Sequence, residues 1–127
     1  MKIRIQGNSI RLRLSQSEVA KFQETGRVAD GIRFGNEPGA ALNYVLERSD
    51  LPEMAATFAE NRICVFVPSG LAGTWATSEQ EVGMEHLVRF PSSDGYLRIL
   101  VEKDFKCLAD RPTEDDSDGF PNPNLNC

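Results

Sequence analysis

Alternation of charged and apolar residues at the start of the chain constrains the fold more than any other feature. Isoleucine alternates with lysine or arginine over residues 2–5, and after a break at Gly7-Asn8 the alternation resumes over residues 9–14. A period of two is typical of a half-buried strand, and glycine and asparagine tolerate the positive φ of a tight turn. The opening therefore predicts a β-hairpin with one apolar face.

The other face of this hairpin is basic. It carries four cations at strand spacing: Lys2, Arg4, Arg11 and Arg13. Such a face can bind phosphate or carboxylate groups, or it can be a solvated surface that shields a sheet edge. No aromatic residue is interleaved with the cations, so the pattern does not predict stacking on single-stranded nucleic acid. We predict an anion-binding site on these four residues, with a solvated surface as the alternative.

The clearest helix signal follows the hairpin. Ser15 and Glu18 have the spacing of a capping box, in which each side chain accepts a hydrogen bond from the other residue's backbone N–H. Gly26 can adopt the left-handed conformation that ends a helix. The sequence predicts a helix over Gln16–Thr25 that packs on a sheet through Phe22.

Several short strands are predicted downstream. Alternating or apolar runs occur at 27–34 (with a bend at Asp30-Gly31), 41–47, 55–59, 62–67, 84–90 and 96–102, and turn residues separate them. Segment 68–77 fits a second short helix, although its two glycines disfavour one. We predict the α+β class, with an antiparallel sheet of six to eight short strands and one or two short helices. So many strands can also curl into a barrel. No internal repeat is visible.

Length and composition predict one domain with a tail. The 127 residues suit a single domain. Apolar residues become sparse from residue 109 onward, where acidic residues, proline and asparagine predominate. We therefore expect a single α+β domain over residues 1–108 and an acidic, Pro/Asn-rich C-terminal tail over residues 109–127.

The tail contains a candidate metal site. Glu114, Asp116 and Asp118, followed by Gly119, place alternate carboxylates as in the first half of a calcium loop. Leu125 stands where the loop requires a bidentate glutamate. These residues predict at most a weak calcium or magnesium site, and an acidic solubilising tail is the alternative.

Other site types have weaker signals. His86, Cys107 and Cys127 could bind zinc if they met in space, but single thiols are more often small buried apolar groups. Three dispersed cysteines do not suggest a secreted disulfide scaffold. The opening has no signal-peptide pattern, and no segment has the length of a membrane span. We expect a cytoplasmic protein that does not interact with membranes.

Three sequence segments carry a resemblance to a known family. The opening M-K-I-R-I-Q-G-N-S-I-R-L-R-L-S, with E-K-D-F-K-C-L and E-D-D-S-D-G-F-P-N-P near the end, is similar to a family of small uncharacterised bacterial proteins, a domain of unknown function. The similarity runs over nearly the whole chain. It implies a free-standing bacterial domain and brings no activity, cofactor or catalytic residue.

The sequence is compatible with two functions. The first is a noncatalytic binding or accessory module that recognises an anionic small molecule or an acidic protein surface through the basic hairpin. The second is a small metal-dependent hydrolase that acts on phosphate esters, which would require carboxylates converging in a polar pocket. The net charge of −5 makes nucleic acid an unfavourable partner, because phosphate would be repelled. No cofactor other than a weakly bound Ca²⁺ or Mg²⁺ is expected.

Overall fold

The computed structural model of the protein describes residues 1–105 and 118–121. These residues form eight strands and two helices. The strands are β1 (Lys2–Gln6), β2 (Ser9–Leu14), β3 (Arg27–Arg33), β4 (Ala41–Ser49), β5 (Ala55–Ala59), β6 (Arg62–Pro68), β7 (Gly83–Arg89) and β8 (Tyr96–Lys103), and the helices are α1 (Gln16–Thr25) and α2 (Ser69–Thr77).

The strands form two four-stranded sheets, which we call sheet A (order β1-β2-β8-β7) and sheet B (order β3-β4-β6-β5). The outer pairs of each sheet are antiparallel, whereas the central pairs β2–β8 and β4–β6 are parallel. The predicted α+β class is confirmed. The prediction of an antiparallel sheet is wrong, because both sheets are mixed, and neither closes into a barrel.

Helix α1 has the bounds that its sequence predicts. The Ser15 hydroxyl accepts a hydrogen bond from the Glu18 backbone N–H at 3.4 Å, and the Glu18 carboxylate accepts one from the Ser15 backbone N–H at 3.0 Å. Together they complete the capping box. Gly26 ends the helix at φ 78°, a left-handed conformation that glycine adopts without a steric penalty.

Helix α2 forms although it contains two glycines, each of which costs about 1 kcal/mol relative to alanine. Burial of Trp75, which is 1% exposed, offsets this cost. Its indole N–H donates to the Val82 carbonyl at 3.0 Å, and its ring meets Phe22 of α1 edge-to-face, with centroids 6.2 Å apart. The two helices therefore share one aromatic contact at the centre of the core.

Strand β3 runs straight through the position where a bend is predicted. Asp30 and Gly31 pair in register with Tyr44 and Asn43 of β4. A Cβ atom on Gly31 would lie 2.6 Å from the Asn43 side-chain oxygen. The glycine therefore permits close approach of neighbouring strands instead of producing a bend.

A repeat that the sequence does not reveal is present in the fold. The first copy is β1-β2-α1-β3-β4 and the second is β5-β6-α2-β7-β8, so each is a hairpin, a helix and a second hairpin. Each copy contributes one hairpin to each sheet. Exchanging the copies therefore converts the strand order of sheet A into that of sheet B.

Residue positions match between the two copies as well. Leu12 pairs with Val101 across the parallel centre of sheet A, and Val65 pairs with Leu46 across that of sheet B. All four side chains are fully buried. The further buried residues in equivalent places are Leu14 and Val67, Val19 and Ala72, Phe22 and Trp75, and Val28 and Met84.

The topology places both helices at one end of the sheets and all four hairpin turns at the other. Strands β2 and β6 lead directly into α1 and α2, whose chains return as β3 and β7. The turns after β1, β3, β5 and β7 consequently face away from the helices. In the described residues, neither helix approaches the length and apolar character required to cross a membrane.

Candidate functional site

The outward side of sheet A collects the predicted cations on one surface. In the β1–β2 hairpin, Lys2 lies directly opposite Arg13, and Arg4 lies directly opposite Arg11. Strand β8 pairs with the other edge of β2 and places Arg98 beside Ser9, one row further along. We call this surface the basic face; its cations on β1, β2 and β8 are Lys2, Arg4, Arg11, Arg13 and Arg98.

Carboxylates on the same side neutralise part of this charge. The Glu102 carboxylate lies 2.6 Å from Arg13 Nε and 3.5 Å from Arg11 Nε, so one acid serves two guanidinium groups. Lys2 Nζ lies 2.9 Å from Asp104. Within residues 1–105 and 118–121, Arg4 forms no ion pair.

Arg98 lies nearer the turn end of sheet A than the four cations of the hairpin. Its Nε donates to the Glu85 carboxylate at 2.6 Å, and this hydrogen bond lowers the pKa of Glu85. Both side chains are about half exposed, so the pair is screened by water and contributes little to stability. Among the described residues, Glu85, Glu102 and Asp104 thus pair with four of these five cations, and Arg4 is the one without a carboxylate partner.

The register of the hairpin is electrostatically unfavourable. Side chains directly opposite each other in an antiparallel pair have Cβ atoms about 5 Å apart, and like charges in such positions are destabilising. Both Lys2–Arg13 and Arg4–Arg11 are like-charge pairs. Glu102 relieves both pairs, through Arg13 and Arg11, whereas Arg4 itself has no carboxylate partner among the described residues. An anion bound between Arg4 and Arg11 would remove this repulsion.

A cavity of about 610 Å³ adjoins the basic face at the turn end of sheet A. Its position is fixed by Asn8, whose side-chain N–H donates to the Tyr96 carbonyl at 2.7 Å and whose own carbonyl accepts from the Arg98 backbone N–H at 3.1 Å. The lining combines amides, a hydroxyl, two aromatic rings, an acid and a guanidinium: Gln6, Asn8, Ser9, Phe90, Asp94, Gly95, Tyr96 and Arg98.

The predicted calcium or magnesium site lies mostly outside the described residues, since Glu114 and Asp116 are not among them. The Asp118 side chain accepts a hydrogen bond from the Ser17 hydroxyl, and its backbone carbonyl accepts from the Gln16 N–H at 3.0 Å. Asp118 thus contacts the first turn of α1. In the part of the chain that the structure describes, no three His, Cys, Asp or Glu side chains group as metal ligands.

Most of the residues of the predicted zinc site also lie outside the described part of the chain. Cys107 and Cys127 fall outside the described residues, so their distance to His86 stays untested. His86 Nε2, on β7, lies 3.6 Å from the carboxylate of Glu53, which belongs to the segment between β4 and β5. Cys64 is buried on sheet B, and burial raises the pKa of its thiol, which disfavours the reactive thiolate.

A family of unknown function (DUF7009) matches the chain over residues 1–124. The chain belongs to this family. The predicted resemblance to a domain of unknown function is therefore confirmed, while a bacterial origin stays a prediction. The range that the family covers contains both copies of the repeated unit and all of the basic face. No curated protein and no solved structure matches the chain.

Sequence reasoning missed Arg98, Tyr96 and the cavity beside them. These residues reach the hairpin only because β8 pairs in parallel with β2, in a register that places Arg98 beside Ser9. No local pattern specifies a partner so distant in sequence. The alternation of Leu97, Ile99 and Val101 did indicate that Arg98 faces outward, but it could not indicate what Arg98 lies beside.

Proposed function

We propose that the domain is a noncatalytic binding module that recognises an anionic ligand through the basic face. The observation that carries the proposal is the Arg4–Arg11 pair, two guanidinium groups directly opposite each other in the ladder, of which Arg4 has no carboxylate partner among the described residues. Guanidinium groups bind phosphate and carboxylate oxygens through two parallel N–H donors. A bound anion would thus exchange a destabilising contact for two favourable ones.

Isothermal titration calorimetry at low ionic strength tests this proposal. Inorganic pyrophosphate and an oligoglutamate peptide serve as the small and the macromolecular anion. We expect at least one of them to bind, and we expect its affinity to fall as salt is added, because the basic face is exposed to solvent.

Paired substitutions assign the binding to this surface. Arg4→Gln combined with Arg11→Gln should weaken binding by about tenfold or more, as expected when two charge-assisted contacts are lost. Lys21→Gln combined with Arg62→Gln is the matched control, because it removes the same charge from helix α1 and sheet B. The proposal fails if neither anion binds to the wild-type protein, or if the control pair weakens binding as much as the test pair.

A further inference from the structure

The cavity beside the basic face differs from that face in charge. Asp94 and Arg98 are its only charged lining residues among those the structure describes, and their charges cancel. The remaining lining is polar or aromatic, and the Tyr96 and Phe90 side chains are 48% and 43% exposed. Such a cavity suits an uncharged group with hydroxyls and a flat ring, whereas the neighbouring Arg4–Arg11 pair suits a multiply charged anion.

The two parts lie on the same side of sheet A in a straight line. Arg11 is beside Leu100 of β8, and Tyr96 is four residues further along that strand. At about 3.3 Å per residue, the separation is about 13 Å. Arg98 lies halfway, on the same side of the sheet. A single extended ligand can therefore reach from the cation pair to the cavity.

The aromatic wall of the cavity is held in place by the turn between β7 and β8. The Phe90 backbone N–H donates to the Gly95 carbonyl at 2.9 Å. A Cβ atom on Gly95 would lie 2.7 Å from the Phe90 ring, so only glycine allows the ring to pack this closely. A volume of about 610 Å³ is within the range of small-molecule sites, roughly 300–1,000 Å³.

Resting on the proposed function, we infer that the ligand is a nucleoside diphosphate, with its phosphates between Arg4 and Arg11 and its base against Tyr96. Arg98 then lies beside the sugar and the first phosphate. Asp94 accepts hydrogen bonds from ribose hydroxyls or a base N–H, and its negative charge keeps the phosphates at the other end. In a nucleoside diphosphate the charged phosphates and the aromatic base lie at opposite ends, as the Arg4–Arg11 pair and Tyr96 do on this surface.

Calorimetry with ADP, pyrophosphate and adenosine tests the inference on the intact protein. We expect ADP to bind more tightly than pyrophosphate by roughly 5- to 150-fold, the range associated with stacking one base on an aromatic side chain. Tyr96→Ala should remove this advantage and leave pyrophosphate affinity unchanged, and Tyr96→Phe should retain it. Phe34→Ala, which truncates an exposed ring outside this cavity, is the matched control.

An observation on the wild-type protein avoids dependence on the folding of a variant. The chain has two tyrosines, of which Tyr96 is exposed on sheet A and Tyr44 is partly buried in the core. ADP should shift the NMR ring signals of Tyr96 and leave those of Tyr44 in place. Unshifted Tyr96 signals at saturating ADP would overturn the inference.

The outcomes separate the inference from the proposed function. If pyrophosphate and ADP bind equally well, the adenine base has no binding site on the protein. The inference is then overturned, while anion binding stands. If only oligoglutamate binds, the ligand is an acidic protein segment, which again overturns the inference alone. If no anion binds, both proposals fall.

Discussion

Replacing Arg4 with glutamate should stabilise the fold and at the same time weaken anion binding. The substitution places a carboxylate directly opposite Arg11 on an exposed hairpin face, where two guanidinium groups now repel each other. One change therefore removes an unfavourable contact and creates a favourable one. If Arg4 served to stabilise the fold, its replacement by glutamate would lower the stability instead.

The magnitude follows from the separation of the two side chains. Unit charges about 5 Å apart in water interact by about 0.8 kcal/mol. Changing Arg4 to a carboxylate removes a repulsion and adds an attraction of that size, while the Glu102 carboxylate already beside Arg11, side-chain mobility and salt screening reduce both. We expect a net gain of about 0.5–1 kcal/mol, which corresponds to roughly 2–4 °C in the melting temperature of a domain this size.

Urea denaturation followed by the fluorescence of Trp75 measures this gain. Arg4→Gln should produce about half of it, because only the repulsion is removed. Lys21→Glu controls for the change in net charge, since Lys21 is exposed on α1, away from the hairpin. The gain should also shrink in high salt. If Arg4→Glu destabilises the protein, or if Lys21→Glu stabilises it equally, Arg4 and Arg11 do not repel each other and the argument for anion binding loses its basis.

Three further predictions concern stability. Ser15→Ala should cost about 1 kcal/mol through loss of the α1 cap, and an unchanged urea midpoint would show that the capping box contributes nothing. Glu60→Gly should stabilise the protein by up to about 1 kcal/mol, because Glu60 has a positive φ of 52° that glycine adopts freely; a loss of stability would reject this account. Burial lowers the pKa of Lys103 in the folded protein, so the charged side chain destabilises the fold at neutral pH. This penalty is relieved as the pH rises through the lowered pKa towards the unfolded value of about 10.4. The stability of the wild type relative to Lys103→Met should therefore increase between neutral and alkaline pH, and a constant difference between the two would contradict the shift.

Local signals were sufficient for the elements that the chain forms with its immediate neighbours. The Gly7-Asn8 turn and the bounds of α1 follow from residues within a few positions, because hairpin turns and helix caps are made by adjacent backbone groups. The parallel strand pairs could not be predicted in this way. The hydrophobic pattern of β2 indicates that one face is buried, but it does not indicate which strand lies beside β2. The prediction of an antiparallel sheet failed for this reason.

The duplication and the second half of the candidate site were hidden for related reasons. Within the first 25 residues, only Met1, Asn8 and Ile10 are identical to the residues 53 positions later, Met54, Asn61 and Ile63. Core positions conserve apolar character and volume more than identity, so Phe22 and Trp75 fill equivalent places without a shared residue type. The basic hairpin could be predicted from its own alternation, whereas Tyr96 joins it only through tertiary pairing.

The position of β8 in the middle of sheet A also determines the order in which the protein can fold during synthesis. Sheet B is complete once β6 has left the ribosome, because its four strands lie within residues 27–68. Sheet A must wait for β8, whose residues pair with β2 across about 89 positions, and closing so long a loop is slow. The β1–β2 hairpin therefore leaves the ribosome early with one edge of β2 unpaired until β8 arrives, and the charged outward side chains of β2 disfavour pairing of this edge with another chain.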